Sequence, residues 1–268
     1  MMRLAWSFFH RDATIALSYR SAFIASLLGN VLLLYIFYYI GQLISPGQNP
    51  ALAPYGGSYL AFMLVGLALT DCVGVSLTTF GSQIREGQLT GTLEATLLSP
   101  VPLATILLFS SLWAYFFSAI RFLLYLGVGS LLYGVQLGNA DLPSAIAIFA
   151  LTVVSFAGIG IGWASVILLV KRGEAILTTI SVVVILISGV VFPRALMPRW
   201  MQQIAEFVPL TPALDGMRLA LLRGDGITEL AGTLVRLSLF AVILMTAGIV
   251  AFSGAVALSK RTGSLVEY

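Results

Sequence analysis

The chain has 268 residues, 59% of them hydrophobic and only 9% charged, against roughly 45–50% and about 25% in soluble domains. Fourteen Lys and Arg against 11 Asp and Glu are too few to cover a soluble surface, and the net charge of +3 is too small and scattered for a nucleic-acid face. Disorder, collagen, coiled coil and a disulfide scaffold are excluded too, the last because Cys72 is the single cysteine. An all-α integral membrane protein remains.

Residues 1–20 place Leu4, Phe8, Ile15 and Tyr19 among Arg3, Arg11 and Arg20, the pattern of an amphipathic helix lying in the membrane interface. A short solvated lead-in helix is the alternative. His10, Arg11 and Asp12 interrupt any apolar run, so no cleaved signal peptide is expected.

Crossing about 30 Å of hydrocarbon takes about 20 helical residues. Six segments qualify, near 22–44, 59–81, 103–135, 144–170, 175–191 and 231–258. Basic residues then decide orientation. Arg3, Arg11, Arg20, Arg85, Lys171, Arg172, Lys260 and Arg261 all fall on one face, which is expected to be cytoplasmic with both termini on it. On the opposite face the third loop is discordant, with Arg194, Arg199, Arg218 and Arg223 balanced by Glu206, Asp215, Asp225 and Glu229.

Two segments between the spans are unusual. Residues 85–99 read as a short amphipathic cytoplasmic helix, with Arg85, Glu86 and Glu94 beside Leu89, Leu93 and Leu97 at fourfold spacing, ended by Pro100 and Pro102. Residues 192–226 are divided by Pro193, Pro198, Pro209 and Pro212, and their apolar residues are too many for a free aqueous loop. They read as a re-entrant pair of half-helices in the outer leaflet, tolerable where the broken backbone is buried in protein or lines a cavity.

These two segments, in this order, resemble those of the ABC-2 type exporter permeases. The inner match runs through Glu86, Gly91, Thr92, Glu94, Leu97, Leu98, Ser99 and Pro100; the outer runs through Ser188-Gly189, Phe192-Pro193, Met197-Pro198-x-Trp200, Pro209-Leu210-Thr211-Pro212, Asp215-x-x-Arg218 and Gly224. The resemblance implies one transmembrane domain over 1–268, working as a dimer of permeases with a separate cytoplasmic ATPase that uses ATP and Mg. This chain itself would bind no cofactor and no metal. It also implies that residues 85–99 couple to the ATPase through Arg85, Glu86, Gly91, Thr92, Glu94 and Pro100, with Gly91 allowing close approach. Gly189, Pro193, Pro198, Pro209, Asp215 and Arg218 would shape an outer gate, with Arg218 binding a headgroup or Asp215 one turn back.

Asp71 and Arg121 lie inside the second and third spans, where an unpaired charge costs about 3 kcal/mol or more. They either pair or line the substrate path, or Arg121 snorkels while Asp71 is protonated. Gly158-Ile159-Gly160-Ile161-Gly162 lacks a preceding strand and a following Lys-Ser/Thr, so it reads as a small-residue packing face rather than a nucleotide loop. Tyr35, Tyr38, Tyr39, Trp113, Trp163 and Trp200 read as interface anchors or packing. One histidine, His10, and no Walker A sequence leave no basis for catalysis by the chain. The expected function is ATP-driven export of a drug, lipid-linked or polysaccharide substrate across the inner membrane, in contact with membrane lipid. An ion-coupled secondary transporter or a non-transport assembly protein is the alternative.

Overall fold

Residues 2–18, 20–43, 50–92, 101, 103–170 and 174–262 are described by the computed structural model, and all regular elements among them are helical. In chain order they are α1 (Met2–Ser18), α2 (Arg20–Leu43), a 3-10 turn (Pro50–Tyr55), α3 (Tyr59–Leu89), α4 (Leu103–Ser110), α5 (Leu112–Tyr133), α6 (Leu142–Val170), α7 (Glu174–Ile187), α8 (Arg199–Ala205), α9 (Leu210–Arg218) and α10 (Ala231–Thr262). Among the described residues four helical stretches are long and apolar enough to cross a bilayer: Tyr59–Leu89, Thr105–Tyr133, Leu142–Val170 and Ala231–Ser259. The expected first and fifth spans coincide with α2, of 24 residues, and α7, of 14. At 1.5 Å per residue α7 reaches only ~21 Å, and its chain continues into irregular backbone at 188–193.

Local chemistry sets these boundaries. The Ser58 side chain caps α3 by accepting a hydrogen bond from the Ala61 N–H at 3.3 Å. The expected third span is broken at Ser111, whose hydroxyl donates to the Leu108 carbonyl at 2.8 Å. Such back-bonding bends a helix. The ladder nevertheless carries on from Leu107 to Ser111 to Tyr115, so α4 and α5 form one continuous stretch, Thr105–Tyr133.

Between helices in lipid, association rests on close packing rather than on the hydrophobic effect, because acyl chains are as apolar as Leu. Small residues therefore decide the approach. Helix α6 is the centre of the bundle, packed along α10 on one side and α3 on the other. A Cβ on Gly158 would run into the α10 backbone at Leu244 and Met245, one on Gly248 into the Gly158 carbonyl, and one on Gly160 into the Ser76 carbonyl of α3. The expected packing role of the Gly158–Gly162 stretch is thus seen directly. Gly248→Val is expected to push α10 off α6 and lower thermal stability and yield in detergent, whereas Gly254→Val, which meets nothing within 4 Å, leaves both unchanged. Equal behaviour of the two variants would refute this packing account.

The N-terminal helix docks on the bundle. Phe9 sets its ring edge-on to Trp113 and Phe116, both with centroids 5.4 Å away, while Trp6 and Ile15 stay exposed. That disposition suits a helix at the interface, anchored through one aromatic cluster.

Candidate functional site

At one end of the bundle, the one expected to lie outside from the basic residues, the 3-10 turn, the start of α3, the chain after α7, and α8 to α10 form a cap, here the outer cap. Asp141 donates its N–H to the Ala220 carbonyl at 2.9 Å, tying the α5–α6 loop to it. Its centre is Arg218. This side chain is 1% exposed, and its guanidinium donates to three main-chain carbonyls: Nη1 to Gly189 at 3.0 Å, Nη2 to Val190 at 3.0 Å and Nε to Phe62 at 3.3 Å. The Phe62 ring lies 3.4 Å from the guanidinium carbon, measured to its centroid.

Among the described residues no carboxylate touches the guanidinium. The charge is held instead by carbonyl dipoles at the C-terminal end of α7, where a helix carries partial negative charge, and by an aromatic face. Gly189 turns the chain there with φ +77°, a left-handed conformation that favours glycine. Gly66 makes the space, since a Cβ on it would lie 2.9 Å from both Arg218 Nη2 and the Val190 carbonyl.

The structure therefore corrects two expectations for Arg218. It does not pair with Asp215 one turn back, and its burial keeps it from a headgroup. Asp215 faces the other way: Tyr55 donates its hydroxyl to Oδ1 at 2.9 Å, and Arg194 Nη2 lies 3.9 Å from Oδ2. Burial, and then the Asp215 charge, push the Tyr55 phenol up to about 12, so it stays protonated and donating at neutral pH. The Tyr55 ring also stands 5.7 Å from the Arg218 guanidinium carbon. The two charged residues thus share one tyrosine without meeting.

Pro193, Pro198 and Pro209 sit at the residues just before the 3-10 turn Arg194–Leu196, α8 and α9. A proline there lacks only an N–H that would have no helical partner. These prolines start short helices, so the outer segment is indeed a set of helical pieces, with a wide π turn, Leu219–Arg223, prolonging α9. Tyr55, Phe62 and Gly66 were not legible as site residues. The only sequence signal was a glycine in the first half of a span.

Deeper in the bundle, Arg121 Nε stands 3.0 Å from Asp71 Oδ2, joining α5 to α3. The two charges thus stand within ion-pair distance, without the alignment of a hydrogen bond. The Phe117 ring, with its centroid 5.0 Å from the guanidinium carbon, offers the cation a second partner.

At the opposite end a groove of about 850 Å³ opens between α1, the end of α3 and α4, lined among others by Arg11, Asp12, Glu86, Thr90, Thr92 and Trp113. Arg85 and Glu86 occupy the last turns of α3, which runs on to Leu89. This corrects the expected boundary of the inner helix: residues 85–89 continue the second span and do not begin a separate helix at 85. The chain stops being helical at Thr90, whose hydroxyl donates to the Glu86 carbonyl at 2.8 Å, and turns at Gly91 with φ +68°. Among the described residues a Cβ on Gly91 would meet nothing within 4 Å, and the positive φ itself favours glycine at this turn. Glu94 and Pro100 lie outside the described residues.

A family model for ABC-2 type transporters matches residues 4–222, from α1 into the π turn that follows α9. This chain belongs to the ABC-2 type transporter family. The permease is also similar to the linearmycin resistance permease protein LnrN of Bacillus subtilis (strain 168), at 31% identity over 119 residues. That match covers 44% of this chain and 30% of the relative, so the chain is aligned to less than a third of the relative's length. Membership and the long apolar helices together make this a multi-pass membrane protein of a transporter family.

Proposed function

We propose that this chain is the permease subunit of an ATP-driven exporter, with ATP and Mg used by a separate cytoplasmic subunit and no chemistry performed by the chain itself. One observation carries the reading: a single uninterrupted helix, α3, bears an Arg218 acceptor, Phe62, at its outer end and Glu86 in the inner groove at the other. A rigid element that touches both ends of the bundle is what a subunit driven from one face to open the other requires. The inner groove and residues 85–99 would receive the ATPase, and a second copy of the chain would complete the path. The permease would sit in the cytoplasmic membrane with both termini inside, as the distribution of basic residues supports.

Cargo follows from chemistry. Few charges face the membrane interior, and the two that pair there cancel, which favours an amphipathic substrate over a highly charged polymer. The relative's designation as a resistance permease supports a drug as that class. The test is to isolate the tagged chain from its native membrane in mild detergent, wild type beside Glu86→Lys and Glu94→Lys, and identify what accompanies it. Stoichiometric ATPase with the wild type, lost in either variant, is the expected result. An intact oligomer without ATPase in every case, together with transport that collapses with the proton gradient, would establish ion-coupled transport instead.

A further inference from the structure

The outer cap contains a cavity that neither Arg218 nor the coupling end uses. It has a volume of about 300 Å³ and lies between the end of α8, α9 and the first turn of α10, with Arg194, Glu206, Asp215, Glu229, Thr233 and Arg236 on its walls. Two of these carboxylates already have partners within the chain. Asp215 accepts from Tyr55 and faces Arg194, and Glu229 accepts the Gly226 N–H through Oε2 at 3.0 Å. Arg236 and Glu206 are exposed, and among the described residues neither side chain makes a hydrogen bond or ion pair.

A cavity that offers an uncommitted cation and an uncommitted anion on its walls repels any ligand of a single sign with one of them. A zwitterion satisfies both. Its volume, at the low end for ligand sites, which run roughly 300–1,000 Å³, fits a headgroup and not a whole amphiphile. Glu206, on the wall, immediately follows α8, whose Trp200 and Ile204 are 59% and 46% exposed, and precedes Phe207, which is 81% exposed. So much adjoining apolar surface is poorly suited to water and well suited to acyl chains.

We infer that this cavity binds the headgroup of a zwitterionic phospholipid, phosphate toward Arg194 and Arg236 and ammonium toward Glu206 and Glu229, with the acyl chains along α8. Arginine suits the phosphate because its fork matches two oxygens at once. The site does not depend on the export reading, and holds whichever cargo is moved.

The purified full-length chain in detergent, offered phosphatidylethanolamine, phosphatidylglycerol or diacylglycerol, reports the site by native mass spectrometry of retained lipid. Phosphatidylethanolamine should be retained about tenfold better than phosphatidylglycerol, and Arg236→Gln should reduce that retention about tenfold, the scale of one hydrogen bond to a charged group. Glu206→Gln combined with Glu229→Gln should erase the preference by raising phosphatidylglycerol. Both variants alter exposed side chains, and an unshifted melting temperature checks that they are folded. Equal retention of all three lipids by the wild type, or a preference unchanged in both variants, overturns the inference. Loss of ATPase copurification would leave it standing.

Discussion

Arg218→Met is expected to loosen the outer cap while leaving the rest of the bundle assembled. The substitution keeps most of the volume and removes every donor, so the carbonyls of Gly189, Val190 and Phe62 lose the group that gathers them. Breaking a buried charged network of this kind costs about 3–5 kcal/mol. That corresponds to a fall in melting temperature of about 10 °C or more, and to rapid proteolysis within 192–226. Arg218→Lys should recover only part of the loss, since a single ammonium cannot span three carbonyls on two segments. Were Arg218→Met to melt with the wild type and resist protease equally, the capping role would be wrong. Export at the wild-type rate in that variant, at normal protein levels, would likewise remove Arg218 from the gate.

Exchange of the intramembrane charges is the second large effect. Asp71→Arg places two guanidinium groups together, and Arg121→Asp places two carboxylates together, each leaving unpaired charge in lipid at a cost of about 3 kcal/mol or more. The double exchange restores opposite signs and should recover most of the stability and transport lost in either single variant. Recovery stops short of complete because the Phe117 face beside position 121 suits a cation. A coupling energy near zero across the four proteins would show that the 3.0 Å approach contributes nothing.

Much of this architecture was readable from the chain. Long apolar runs need no partner to be recognised, and the prolines at 193, 198 and 209 announce helix starts because of what proline lacks. The packing face at Gly158 was legible for a similar reason, as small residues recur at helical spacing. Partnerships across the fold were not. Asp215 and Arg218 are spaced to meet on one helix, yet Tyr55, 160 residues away, takes the first, and carbonyls of α3 and the post-α7 turn take the second. Main-chain acceptors leave no trace in a sequence, so an arginine bound to carbonyls looks like an arginine awaiting a carboxylate. The length of α3 was hidden as well, because Arg85-Glu86 marks a change of surroundings while the helix itself continues.

That continuity has a mechanical consequence. Between Phe62 and Glu86 the α3 axis is ~36 Å long, and it is held partway by the Asp71–Arg121 pair and by the close contact of Gly160 with the Ser76 carbonyl. A helix buried on its packed face all the way from Ala61 to Ile84 has no free arm to flex. It shifts as one piece, so whatever displaces Glu86 at the groove also displaces the Phe62 carbonyl beneath Arg218.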